Sequence, residues 1–249
     1  MKYLLSALLI VSAGLAFADD FDAVEAKLKT AMAADIRTDE EKDRDDNRLP
    51  VETLKFFGLR DNMKIIELLP GGGWYTKLLV PVVAENGEYY AALGTGTIAK
   101  SVLTLPGFED AQVIAADSKV YRKDGARLYT LETNGFGVTG MDMVLTFRNY
   151  HNFDAEGRAA MNKAAFDALK SGGIYAVVDH TRRHMEEDNP ENRRRIDPVL
   201  AIHEIEAAGF KFVDFSDLHF RADDELRYEV GRKTVTGNTD RWTLKFVKP

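Results

Sequence analysis

Short apolar runs alternate along this chain with longer segments in which apolar positions recur every three or four residues. The runs over 64–68, 88–93, 112–116, 142–147 and 173–178 are brief, nearly continuous and rich in Ile, Val, Ala and Tyr. That is the pattern of strands buried on both faces. Between them, 75–84, 155–170 and 198–208 carry helical spacing, the second closed by Gly172-Gly173 and the third by Gly209. The alternation predicts an α/β fold: one doubly wound, mostly parallel sheet with crossover helices. Two last strand-like runs, 210–215 and 241–247, are separated by a polar stretch rich in acids and arginines. They predict an antiparallel C-terminal pair at a sheet edge.

Ahead of the first strand, Phe21, Val24, Leu28 and Met32 fall at helical spacing, and Pro50 opens a second helix that Gly58 closes. Between them the charged run 37–48 reads as a solvated helix face or a mobile lead-in. Together these pieces form an N-terminal helical extension, a lid or clamp. Residues 1–18 have the form of a secretory signal: Lys2, an apolar segment over 3–15, and Ala16-Phe17-Ala18 ahead of Asp19. The apolar segment is shorter than the ~20 residues that span a bilayer. No twin arginine precedes it and no cysteine offers a lipidation site. The expected organisation is therefore a signal peptide over 1–18, cleaved after Ala18, a helical extension over 19–58 and one α/β domain over 59–249. The expected product is exported and periplasmic, with no stable membrane anchor after cleavage.

Composition narrows the picture in two ways. With no cysteine, the fold rests on its core rather than on disulfides. The 40 acids and 33 bases are interspersed and leave a net charge of −7, which excludes the basic footprint of a nucleic-acid binder. The expected partner is a small molecule. Oligomeric state is not legible here.

Three segments carry candidate chemistry. Glu67-Leu68-Leu69-Pro70-Gly71-Gly72-Gly73-Trp74-Tyr75-Thr76 joins an apolar run, an acid and a glycine cluster to a helix start. Glycines accept positive φ and let backbone approach a ligand, and a helix start offers free N–H groups; the plain alternative is a tight turn. Trp74 and Tyr75 would stack on a ligand ring or pack beneath the helix. In an open α/β sheet, ligands sit beyond the carboxyl ends of strands, where this chain places Arg148-Asn149-Tyr150-His151-Asn152 and Asp179-His180-Thr181-Arg182-Arg183-His184. His151 is the candidate general base, its reference pKa being about 6.5. Asp179 would orient a histidine or bind substrate. His151, Asp179, His180 and His184 also form a candidate divalent-metal set, the last two histidines four apart as on one helix face; the alternative is a polar substrate pocket. Arg193-Arg194-Arg195 would grip an acidic substrate or form a solvated turn.

The order of elements and the motifs together resemble the class I S-adenosylmethionine-dependent methyltransferases over residues 50–249. More narrowly, they resemble a group of exported bacterial predicted methyltransferases. The resemblance is carried by Glu67 with its glycines, Arg148-Asn149-Tyr150-His151, Gly172-Gly173 with Asp179-His180, Arg195-Ile196-Asp197-Pro198, Glu206-Ala207-Ala208-Gly209-Phe210 and Asp240-Arg241-Trp242. It implies a Rossmann-like fold and S-adenosylmethionine as cofactor, held by Glu67, Gly71, Gly72 and Gly73, with Thr95 in part. It also implies catalytic roles for His151, Asp179 and Asn149, and acceptor binding by Arg148, Tyr150, His180 and Arg195.

Two positions depart from the family pattern. Leu69 stands where the first glycine of acid-x-Gly-x-Gly-x-Gly is expected, and Ala91-Ala92-Leu93-Gly94-Thr95-Gly96 lacks the strand-two acid that binds the ribose hydroxyls. Losing such a charged hydrogen bond is worth ~1.5–3 kcal/mol, roughly ten- to a hundredfold in binding. Some methyltransferases of this fold hold a divalent metal through acids and an asparagine after strands four and five. Asn149, Asp179 and His180 occupy comparable places without that carboxylate-rich set, so a metal is not favoured. Methyl transfer to a small acceptor is the leading expectation. Its rival is a repurposed or non-catalytic scaffold that binds a small molecule or metal. A nicotinamide-dependent oxidoreductase is a weaker third, because the glycine spacing lacks the G-x-G-x-x-G form.

Overall fold

The structure, a computed structural model, describes residues 16–249. The expected signal peptide therefore lies outside the described residues except for its last three positions. Among the described residues no helix is long and apolar enough to cross a membrane.

Seven strands form the main sheet: β1 (Lys64–Leu68), β2 (Glu88–Ala92), β3 (Gln112–Ile114), β6 (Met141–Phe147), β7 (Leu169–His180), β8 (Lys211–Ser216) and β9 (Arg241–Val247). Their order is β3-β2-β1-β6-β7-β9-β8. The first five run parallel, and β9 enters antiparallel between β7 and β8. The antiparallel pair stands at the sheet edge as expected, β8 outermost and β9 between it and β7. A separate hairpin of β4 (Lys119–Tyr121) and β5 (Thr130–Glu132) was not foreseen, because its three-residue strands form no apolar run.

Side chains alternate between two cores, as strands covered on both faces require. Ile65, Tyr89, Ala91, Met143, Leu145 and Phe147 face one core, while Ile66, Leu68, Tyr90, Ala92, Val144 and Val177 face the other. Helices α1 (Ala16–Ala33), α4 (Pro50–Phe57) and α5 (Thr76–Val83) cover the first core, and α6 (Ala155–Ala168) and α7 (Pro198–Ala207) the second. Phe21, Val24 and Leu28 of α1 belong to the same core as Ile65 and Leu78, so the helical extension packs as a layer of the sheet.

The charged run is folded. Thr38 caps α2 (Asp39–Lys42) with a capping box, α3 (Asp45–Arg48) follows, and Arg37 and Arg48 are buried. The expected solvated face gives way because this run closes over the carboxyl ends of the strands. Trp74 Nε1 donates to the Glu41 carbonyl at 2.9 Å, and Lys77 Nζ reaches Glu41 Oε2 at 2.7 Å. His219 ties the other end of the run, its ring bonded to the Arg48 carbonyl at 3.0 Å and to Thr243 Oγ1 at 2.7 Å.

Candidate functional site

The carboxyl ends of β1, β6 and β7 open into a cavity of about 620 Å³, roofed by α2 and α3 and by the segment 230–239. Strand register decides which side chains meet there. Phe147 pairs with Val178, so the chain leaving β6 at Arg148 runs beside Asp179 and His180, and antiparallel β9 starts with Arg241 opposite His180.

At the centre is a histidine–carboxylate pair. His151 donates through Nδ1 to Asp179 Oδ1 at 2.5 Å, and its backbone N–H donates to Oδ2 of the same carboxylate at 2.9 Å. The His180 amide adds a third bond to Asp179 at 2.6 Å. Asp179 is fully buried and His151 nearly so. With Nδ1 spent on Asp179, the Nε2 lone pair of His151 is left on the cavity side, the arrangement of an oriented general base. His180 lies with its ring centroid 5.7 Å from that of His151, and its Nδ1 is bonded to Thr239 Oγ1 at 2.9 Å. Burial first, then His151 and the nearby arginines, holds the His180 imidazole well below its usual pKa and hence neutral.

The glycine turn lines the same cavity. Gly71 (φ 59°) and Gly73 (φ 84°) use the left-handed region, and so does Leu69 (φ 52°), which stands in the family's first glycine position. A Cβ at Gly71 or Gly72 would meet nothing within 4 Å, whereas one at Gly73 would stand 2.7 Å from Val102. Gly71 and Gly72 thus leave open backbone facing the cavity, a cradle for a ligand's polar end. Glu67 is pinned from behind: Tyr89 Oη donates to its Oε2 at 2.6 Å and Thr76 Oγ1 at 2.7 Å. Burial pushes its carboxyl up to about 7, against the pull of those two hydrogen bonds. Tyr75 stacks on Phe147, with centroids 3.5 Å apart, while Arg37 and Arg48 lie over the Trp74 ring.

The structure brings together Glu67, Gly71, Gly72, Arg148, Asn149, His151 and His180 on the cavity wall, with Asp179 directly behind. It turns others elsewhere. Asn149 uses its amide to tie Leu69 O and Phe147 O, both at 3.1 Å, so it joins β1 to β6 and makes no hydrogen bond to His151. Tyr150 is fully buried against the second core, its hydroxyl donating to Glu204 and accepting from Asn162. Arg195 is locked on Asp224, Tyr228 O and Thr181 O. Both were expected to meet the acceptor, and both instead hold the walls. Thr95 sits on the turn after β2, outside the cavity lining. His180 ends β7 and His184 lies on the loop beyond, paired with Asp197 at 2.8 Å, so the expected helix face with two histidines does not form. Among the described residues no group of three or more His, Cys, Asp or Glu side chains is placed to hold a metal.

Sequence reasoning missed Arg48, Arg241 and the 230–239 roof as parts of the site. The one signal for Arg241 was its place in the Asp240-Arg241-Trp242 motif; Arg48 was hidden in a charged run.

No protein-family profile matches the chain, and no curated protein does. Solved structures match throughout. A SAM-dependent methyltransferase from Aquifex aeolicus shares 15% identity, covering 90% of this chain and 98% of its own, with a TM-score of 0.57. The fold is that of the class I S-adenosylmethionine-dependent methyltransferases. The glycopeptide N-methyltransferase MtfA, complexed with sinefungin, shares this methyltransferase fold at 14% identity over 82% of this chain and 94% of its own, TM-score 0.52. So does the [4+2]-cyclase SpnF at 13% identity over 82% and 80%, TM-score 0.53. One scaffold therefore carries more than one named chemistry, and the site has to argue the function.

Proposed function

We propose that the protein is a methyltransferase that uses S-adenosylmethionine to methylate a small-molecule acceptor, working outside the cytoplasm as its leader-like first residues suggest. The observation that carries this reading is the His151–Asp179 pair at the same cavity as the open glycine turn. The residues present fit the cofactor at its amino-acid end: Gly71 and Gly72 offer open backbone there. When bound, S-adenosylmethionine supplies an electrophilic methyl group on a sulfonium. His151 Nε2 takes the proton from the acceptor's hydroxyl, thiol or amine, and Asp179 holds the imidazole in the needed tautomer and stabilises its charged form. The roof from α2, α3 and 230–239 encloses the acceptor, so that positioning contributes most of the rate.

A second reading, a repurposed binding scaffold, is favoured by two observations. Leu69 reaches toward Gly94, where the family places the ribose, and no acid follows β2. Calorimetric titration of S-adenosylmethionine and S-adenosylhomocysteine into the folded protein separates the two. Micromolar binding that Gly71→Arg abolishes supports methyl transfer. Absence of binding to a folded protein moves the assignment to the repurposed scaffold.

A further inference from the structure

Three buried or half-buried guanidinium groups, those of Arg48, Arg148 and Arg241, reach the cavity without a carboxylate partner, and the exposed Arg44 adds a fourth unpaired one at its edge. Arg48 is 4% exposed and its side chain makes no hydrogen bond to a described residue; its Nε and Nη1 are buried and unpartnered, and its guanidinium carbon lies 4.1 Å from the Trp74 ring centroid and 6.0 Å from that of Tyr75. Arg241 is 6% exposed and uses only Nε, on the Thr239 carbonyl at 3.3 Å. Arg148, held at φ 62° where β6 ends, has no side-chain hydrogen bond to any described residue. The three act on one another: burial and Arg148 lower the pKa of Arg48 to about 8 and that of Arg241 to about 10.

The acids nearby do not balance them. Glu41 is held by Lys77, and Glu67 is bonded to Tyr89 and Thr76 with its carboxyl pushed toward neutrality. Asp179, whose charge does reach Arg148, is committed to His151 and to two backbone amides. Glu40 is exposed, and Arg194, which also lines the cavity, is paired with Glu229. Burying like charges without counter-charge costs stability, and folded proteins tolerate such a cluster where a ligand supplies the missing charge. Guanidinium forks match oxyanions two bonds at a time. One carboxylate would satisfy one fork and leave two.

We propose that Arg48, Arg148 and Arg241 bind an oxyanion carrying two or more negative charges, of the phosphate-monoester or polycarboxylate kind, beside His151. That this oxyanion is the acceptor's anionic group rests on the methyl-transfer reading; the binding site itself does not. His151 Nε2 then stands within the same cavity as the anchored acceptor, and the arginines supply the selectivity that the glycine turn cannot.

The test titrates inorganic phosphate, citrate and acetate by calorimetry into the protein produced from its full chain. Phosphate or citrate is expected to bind at least about tenfold more tightly than acetate, because only they engage more than one fork. Arg148→Met and Arg241→Met, shown folded by circular dichroism, are each expected to weaken that binding about tenfold or more, and the surface control Arg227→Met to leave it unchanged. Tighter phosphate identifies a tetrahedral group and tighter citrate a polycarboxylate, and either supports the site. Equal affinity for acetate, no binding to the folded protein, or undiminished binding in both variants overturns it. S-adenosylhomocysteine is titrated alongside. Its loss in the arginine variants with phosphate retained would assign the arginines to the cofactor and overturn the proposal. Phosphate binding by a protein that ignores S-adenosylhomocysteine supports the anion site while removing the methyl-transfer reading.

Discussion

Leu69 bridges the gap between the ends of β1 and β2: its Cδ2 lies 3.2 Å from the point where a Cβ on Gly94 would stand. It does so from a left-handed backbone, φ 52°, that costs a branched side chain on the order of 1 kcal/mol. Leu69→Gly removes both the strain and the side chain. The expected outcome is an S-adenosylhomocysteine affinity roughly tenfold higher by calorimetry, with little change in melting temperature. Unchanged or weaker binding would show that Leu69 does not stand in the ribose position.

The two glycines next to each other in the turn should respond differently. Gly73 has φ 84° and its Cβ would meet Val102 at 2.7 Å, whereas Gly72 has open space. Gly73→Ala is expected to cost about 1–3 kcal/mol in urea unfolding and Gly72→Ala within about 0.5 kcal/mol. Equal costs would contradict the seating of the turn on Val102.

His151→Gln keeps a donor for Asp179 but removes the base. With an acceptor identified, S-adenosylhomocysteine release should fall about a hundredfold to ten-thousandfold while cofactor affinity holds. A variant that turns over normally would remove His151 from the chemistry and leave positioning as the whole of the catalysis.

Glu67 should give the protein a distinctive pH response. Its carboxyl is raised from 4.5 to about 7 in the folded state by burial. A raised pKa means that the folded state holds its proton longer than the unfolded state. The stabilisation is complete below about 4.5 and is lost as pH climbs through 7, by about 3 kcal/mol in all. His219, lowered to about 4, acts the opposite way, its contribution being lost as pH falls from 6.5 toward 4. The difference between wild type and Glu67→Gln cancels the His219 part. Melting temperatures across pH 5 to 8 should therefore fall more steeply for wild type than for Glu67→Gln, and parallel curves would show that the carboxyl ionises normally.

Much of this was legible in the chain. The β1 run over 64–68 and the β9 run over 241–247 appear where their apolar residues place them, because strands covered on both faces leave a local signature. That residues beyond β6 and β7 share one cavity was legible for a topological reason, since parallel strands with crossover helices put their carboxyl ends on one side. The β4–β5 hairpin was not, since three-residue strands held by backbone bonds carry no periodicity.

The sequence by itself determined the alternation of strand and helix, the glycine turn and the presence of His151 and Asp179 at neighbouring strand ends, all of which depend on residues close in the chain. Only the tertiary structure decided which polar groups face one another. Arg48 and Arg241 are separated by almost the whole fold in sequence, yet both line the cavity, because α3 folds over the strand ends and β9 enters antiparallel beside β7. Tyr150 and His151 are adjacent, yet one is buried against the second core and the other faces the cavity. Direction of a side chain and the company it keeps are set by long-range packing, and no local pattern encodes them.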